Sequence, residues 1–398
     1  MGIKWTRSII LMLFALHTMF FTFHSCTIQP PLHLPDEGMD VESYLPLIDL
    51  DLDILWKYDM VIDSVTGEIY DTTYNWRDEF YYGWDSQDDA LFGTWHISDP
   101  NVFNIRRYYT NTNPLGPHTA PNEHQIVGNR LSARYKFGFY DILAWNEVQT
   151  LDGVQSLHFD ESSTYEYVTA YTNKTMSRVH YSPRHQYSYY QPEFLFGGYY
   201  EDLEITNRPE DYDYFDEERN AYVKHINMML NPRTYIYVSQ IILHHNRGRI
   251  ANIDGTANLQ GMALRTNLNT GITDTEEISV NYNQRLKRNC IKNGENVDII
   301  GGRLFTFGLC NLNPSRATRA SAHDNTSRNY IDINMIFNNG IDSTFIFDVT
   351  DQVHRRYKGG IITIELDVDT IRIPSRKGGS GFDAIVEDFD TIQYEFDM

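Results

Sequence analysis

The segment LIDLDLDILW, from Leu47 to Trp56, alternates apolar and acidic residues one by one. Successive side chains point to opposite faces of an extended chain, whereas a helix would scatter this pattern around its axis. Leu47, Ile48, Leu50, Leu52, Ile54 and Trp56 supply the apolar groups. Ile48, Leu50, Leu52 and Ile54 define the face expected to be buried; Asp49, Asp51 and Asp53 define the face expected to meet solvent. The stretch is expected to be a half-buried β-strand.

The same alternation recurs along the chain. RLSARYKFGFYDILAWN reads as two strands bent near Gly138, and LHFDESSTYEYVTAYT reads as another pair. Further on come TYIYVSQIILHH, ANLQGMALRTNL, EEISVNYN, RLFTFGLC, NYIDINMIFNNG, TFIFDVT and IITIELDVDTIRIP, separated by Asn-Gly, Gly-Gly and Asn-Pro turn signals. Helical periods are scarce, and DVTDQVHRRY, Asp348 to Tyr357, is the best short candidate. Many short strands with turn punctuation indicate an all-β protein of packed sandwiches rather than an α/β chain. Aromatic residues make up 14 % of the chain, 28 of them tyrosines, enough to fill a core and exclude an acidic disordered polymer.

The 398 residues suffice for two domains. The acidic stretch NRPEDYDYFDEERN, Asn207 to Asn220, is expected to be a solvated linker (207–220) between an N-terminal β-sandwich (44–206) and a C-terminal one (221–398).

Near the start, Lys4 and Arg7 precede the apolar run SIILMLFALHTMFFTF, which is shorter than the roughly 20 residues a bilayer core requires. A basic, then apolar, then polar order is that of a secretory signal. Phe23, His24, Ser25 and Cys26 resemble a lipobox, so residues 1–25 are expected to be a lipoprotein signal peptide, with Cys26 lipidated by chains such as palmitate. Durable anchoring in a bilayer takes two acyl chains. Residues 26–43, proline-bearing and patternless, are expected to be a tether. The formal charge of −21 argues against nucleic acid as a partner.

No residue set nominates a catalyst. His244 and His245 are adjacent on an expected strand and therefore diverge, and no metal site is expected. HExxH, Gly-x-Ser-x-Gly and a phosphate-cradling loop are absent from the sequence. Cys290 and Cys310 could form a disulfide or remain two thiols. Trp145 and the tyrosines of HQYSYYQPEFLFGGYYEDLEI could stack on sugar rings, although core filling is the simpler expectation.

RYKFGFYDILAWN resembles the Gly-x-Tyr-x-apolar-apolar-x-x-Asn strand pair of type V fimbrillin-like lipoproteins of Bacteroidales, and PEFLFGGYYEDLEI is similar to the strand that follows it there. LNPRTYIYVSQI, LQGMALRTNLNTG, GGRLFTFGL, FDVTDQV, IRIP and GGSGFDAIVEDFDTIQYEFDM resemble later segments of that family in the same order. The resemblance implies two transthyretin-like or Ig-like β-sandwich domains in tandem and a lipid anchor in the outer membrane. It also implies a non-enzymatic role as a fimbrial anchor, minor or accessory subunit in pilus assembly and adhesion. Partners would be other fimbrial subunits, with a host protein or glycan as ligand; no cofactor beyond the lipid is implied. Family stalk subunits lose their first strand to an arginine-specific protease and accept a neighbour's strand, a form of β-augmentation. No arginine lies between Cys26 and Arg77, so Leu47 to Trp56, the strand-exchange candidate, is expected to stay in place. A stand-alone glycan-binding lipoprotein is the alternative expectation.

Overall fold

The computed structural model describes residues 45–54, 61–62, 69–70, 100–110, 121–148, 155–160, 165–175, 187–313, 326–374 and 394–396. Cys26, Trp56, the expected signal peptide and the tether lie outside them. The fold is all-β. Its single α-helix among the described residues, α1 (Thr350–Arg355), lies inside the stretch whose period foretold it.

The first layered unit begins with β1 (Leu47–Ile54) and a small hairpin of β2 (Val61–Ile62) and β3 (Ile69–Tyr70). It continues with β4 (Val102–Thr110), β5 (Asn122–Val127), β6 (Arg130–Arg134) and β7 (Gly138–Asn146). Three short strands follow: β8 (Leu157–Asp160), β9 (Thr169–Thr172) and β10 (Ser188–Tyr190). They lead to β11 (Phe196–Ile205), β12 (Tyr214–Asp216) and β13 (Ala221–Pro232). The main sheet runs β5-β4-β7-β11-β13-β1-β6, with β12 added to β13.

Strand β13 pairs with β11 only at its end, Phe196 with Pro232 and Gly197 with Asn231, and with β1 along its length. It therefore passes from one layer to the other. Ile105, Ile142 and Phe196 from one layer then meet Ile48, Leu50, Leu131, Ile226 and Met228 from the other in a single core. Glycine is required at this crossing. A methyl group on Gly198 would lie 2.4 Å from the Met229 carbonyl oxygen and 2.7 Å from Leu230 Cδ2.

This arrangement revises the expected division at 207–220. The acidic stretch contains a 3₁₀ turn (Pro209–Asp211) and β12, which pairs antiparallel with β13. It is a hairpin on the first unit rather than a linker. Strand β13 buries Ile226, Met228 and Leu230 in the first core, so that unit extends to Pro232.

The second unit stacks two sheets. One contains β14 (Tyr235–His244), β18 (Arg285–Lys292), β19 (Glu295–Thr306) and β22 (Gly360–Asp367) in the order β18-β19-β14-β22. The other contains β15 (Ile250–Ala263), β17 (Glu277–Asn283), β20 (Tyr330–Phe337), β21 (Asp342–Asp348) and β23 (Tyr394–Phe396), in the order β10-β17-β15-β20-β21-β23. Tyr237, Ile300 and Ile364 from the first sheet pack with Leu259, Val280, Ile333 and Phe345 from the second.

The two units interlock. Strand β10, from the first half of the chain, pairs parallel with β17 of the second unit. β16 (Arg265–Asn267), from the second half, pairs with β9 and extends the sheet β16-β9-β8. Leu143, Trp145, Val168 and Leu195 share a third core with Ala263, Leu268 and Phe307. Arg233, buried at the junction, donates from Nε to Leu268 O at 2.8 Å and from Nη2 to Asn269 O at 2.6 Å.

Candidate functional site: the first strand and its groove

Strand β1 lies between two neighbours. It runs parallel to β13, from Leu47 opposite Val223 to Ile54 opposite Leu230, and antiparallel to β6, from Leu47 opposite Arg134 to Asp51 opposite Arg130. Backbone bonds beyond the ladder extend this groove. Leu52 N donates to Asn129 O at 2.7 Å and Tyr135 N to Pro46 O at 3.0 Å. The alternation dictates burial as expected: Ile48, Leu50 and Leu52 are 0 %, 0 % and 1 % exposed, and Ile54 packs at the core's edge. Leu47 points the other way, into a small cluster with Ala221 and Val223.

The acidic face departs from expectation. Asp49 is buried, because Ser132 on β6 and the turn after β12 close over it. Ser132 Oγ donates to Asp49 Oδ1 at 2.5 Å, Arg219 Nη1 lies 3.5 Å from the same oxygen, and His225 Nδ1 lies 3.9 Å from Oδ2. Asp51 receives a two-pronged bond from Arg130, at 2.6 Å from Nε and 2.7 Å from Nη2. That bond holds its carboxyl below the ordinary value, against an opposing effect of burial. Asp53 alone is open to solvent. Arg134 fastens the entry to the strand, donating to Leu45 O at 2.7 Å and to Arg219 O at 2.8 Å. Three arginines, on β6 and the β12–β13 turn, therefore hold a strand whose acidic residues match them. Such a groove can hold an extended segment that alternates apolar and carboxylate side chains, using main-chain bonds for affinity and alternate pockets for selection.

The family-like pattern Gly138-x-Tyr140-x-Ile142-Leu143-x-x-Asn146 also has a physical role. Gly138 has φ +139°, where a side chain would be strained. Tyr140 Oη accepts from Lys136 N at 2.9 Å, and burial raises its phenol to about 12. Asn146 Oδ1 accepts from Phe196 N at 2.6 Å, and its Nδ2 donates to Phe194 O at 3.1 Å. The asparagine thus staples β7 to the start of β11.

The remaining candidates resolve as follows. Cys290 and Cys310 are thiols not joined to each other. Cys310 is buried against the carbonyls of Gly261 and Glu276, whereas Cys290 sits beside a register shift in β18. Trp145 is buried with the Arg106 guanidinium 5.1 Å from its ring centre, so it offers no platform to a sugar. His244 and His245 diverge as expected: His244 contacts Glu295 and Glu365, and His245 contacts Asp367. Among the described residues His245, Asp367 and Asp369 place donor atoms within 4.8 Å of one another, but Arg249 already neutralises Asp369 at 3.1 Å. An ion-pair network accounts for the group.

Among the buried carboxylates that no local pattern reveals are Glu193 and Asp332. Glu193 is fully buried and accepts from Ser156 N at 2.7 Å, Leu157 N at 2.8 Å and Ser156 Oγ at 2.9 Å. Asp332 accepts from Asn258 Nδ2 at 2.8 Å and Gln260 Nε2 at 2.7 Å, while burial pushes its carboxyl up to about 6. Neighbouring amides signal such sites only once strand register is known.

An all-β fold with β1 clasped between β13 and β6 is what the geometry defines. No family model matches the chain, and no curated protein matches it. Solved structures do. A candidate adhesin of Bacteroides ovatus aligns over 84 % of this chain and 97 % of its own, with TM-score 0.45 and 13 % identity. The fimbrial anchor protein Mfa2 of Porphyromonas gingivalis aligns over 80 % and 90 %, with TM-score 0.35 and 10 % identity. A candidate cell adhesion protein of Bacteroides eggerthii aligns over 83 % and 89 %, with TM-score 0.37 and 10 % identity.

Proposed function

We propose that this chain is a fimbrillin-like surface lipoprotein that works as an anchor or accessory subunit in fimbrial assembly and adhesion. In this reading its two layered units are tandem transthyretin-like sandwiches, Cys26 carries the lipid, and the outer membrane is the site of attachment. Its work is non-enzymatic, and its partners are other subunits that meet it by strand addition. The observation that carries the reading is β1 itself, an early segment of the chain seated between β13 and β6 with Ile48, Leu50 and Leu52 buried. The arginine contacts to Asp49 and Asp51 favour a strand that stays in place. The absence of arginine between Cys26 and Arg77 points the same way.

An immunoblot of unboiled outer-membrane extracts, with antibody raised to the purified chain, tests the assignment. A ladder or one heavy complex that collapses on boiling is expected. A single band at the mass of one processed chain, below the 46.5 kDa of the full 398 residues, would turn attention to a stand-alone binder and a glycan array. N-terminal sequencing tests strand retention, and a surface form starting at Asp78 would refute it. Loss of acyl labelling in Cys26→Ala is the expected outcome for the anchor.

A further inference from the structure

The hairpin of β12 and β13 exposes aromatic rings on an open sheet edge. Tyr214 is 44 % exposed, Phe215 46 % and Tyr222 38 %. Phe215 and Tyr222 lie 5.0 Å apart, Tyr212 is 5.8 Å from Tyr222, and Tyr214 is 5.8 Å from His225 across the strand. Among the described residues β12 bonds to β13 alone, which leaves one row of its backbone groups unused. An exposed edge with large apolar side chains is a template for another chain unless something guards it.

The surrounding charge decides which chain. Arg208 pairs with Asp211 at 2.9 Å, Arg219 with Asp216 at 2.6 Å, and Asp213 accepts from His225 N. Glu210, Glu217 and Glu218 are exposed and have no ion-pair partner among the described residues. A second copy approaching this edge would set carboxylates against carboxylates. A flat sugar would find no flat platform, because the ring planes meet at 36° and 63°. A lysine- or arginine-bearing segment would satisfy the acids, lay its cations on the rings and complete the strand edge.

We infer that the β12 edge is a docking site for an extended, cationic polypeptide segment of another protein, separate from the β1 groove. The test uses the full chain and fluorescent short peptides: one alternating lysine with valine, one alternating glutamate with valine, and the lysine peptide N-methylated at alternate residues. Binding of the lysine peptide alone is expected, weakening by about tenfold in Phe215→Ser/Tyr222→Ser. Glu217→Lys/Glu218→Lys should weaken it further and flatten its salt dependence. An unchanged melting temperature in both variants would show that the fold survives these surface changes. Three results would overturn the inference: no binding of the lysine peptide, equal binding by the serine variant, or equal binding of the N-methylated peptide. A dimer of the parent that disappears in the serine variant would overturn it too, by naming a second copy as the occupant.

Discussion

Arg219, in the turn between β12 and β13, places Nη1 3.5 Å from Oδ1 of Asp49 in the middle of β1 and 2.9 Å from Ser132 Oγ on β6. One side chain thus ties three strands distant in sequence. Asp49→Ala would strand Ser132 and Arg219 without their shared acceptor. Both donors are exposed, so water can take the place of the carboxylate, and the loss is that of one hydrogen-bonded pair, about 0.5–1.5 kcal/mol. A urea titration at neutral pH should show a loss of that size, and an unchanged midpoint would mean the contact contributes nothing.

Leu50 tests the strand's apolar face. It is fully buried between two layers, so Leu50→Ala should cost about 2–5 kcal/mol through lost transfer energy and the cavity left behind. Replacing Leu50 and Leu52 together with aspartate should prevent the first unit from folding. A double variant that melts like the parent would show that β1 is not core.

The β11–β13 crossing makes a sharper steric demand. A methyl group on Gly198 would press on the Met229 carbonyl, which cannot swing aside as a flexible side-chain end could. Gly198→Ala should lower the melting temperature, whereas Gly248→Ala tests backbone strain alone, at φ +80° with open space around it. Calorimetry of the two separates packing from strain.

Asp332 and Asp51 should respond to pH in opposite directions. Burial raises Asp332 to about 6, above the ~3.9 of an unfolded aspartate, so the folded state binds its proton more tightly. Its contribution to stability should grow as pH falls from about 6 to about 4, and Asp332→Asn should remove that slope. Asp51, held low by Arg130, contributes above the unfolded value and loses that contribution as pH falls through its lower folded value. Denaturant midpoints from about pH 6 down to below the ordinary aspartate value of about 3.9, for the parent and each asparagine variant, check both signs.

Burial raises both thiols, Cys310 to about 12. Neither should react quickly with a disulfide reagent at neutral pH in the native state, and Cys290, the more exposed, should react first. A reductant should leave the melting temperature unchanged.

Much of the strand content was legible because burial on one face imposes a two-residue period that composition cannot hide. That is why Ile48, Leu50 and Leu52, and the strands around Tyr237, Ile333 and Phe345, sit where the pattern put them. Asp49 was misjudged because its burial depends on Ser132 and Arg219, which no local pattern connects to it. The 207–220 stretch looked like a linker because its acids dominate, while its pairing partner, β13, shows a mixed pattern with lysine and histidine among its inward and outward positions. Strand β10 is three residues long, too short for a period to show, and although β9 and β16 fall in segments that read as extended, no local pattern pairs them across the halves, so the interlocking was not legible. The clasp on β1 was half legible. Its carboxylates were plain in the sequence, and its arginines acquired a role only through register.

The exchange of β10 and β16 between the halves has a mechanical consequence. Two domains joined by a linker separate under tension as soon as the linker straightens. Here a pull that draws the halves apart must also break the β10–β17 and β9–β16 ladders and withdraw the Arg233 guanidinium from its two carbonyls. Extension should begin with one high-force event shared by both halves, followed by the unravelling of each.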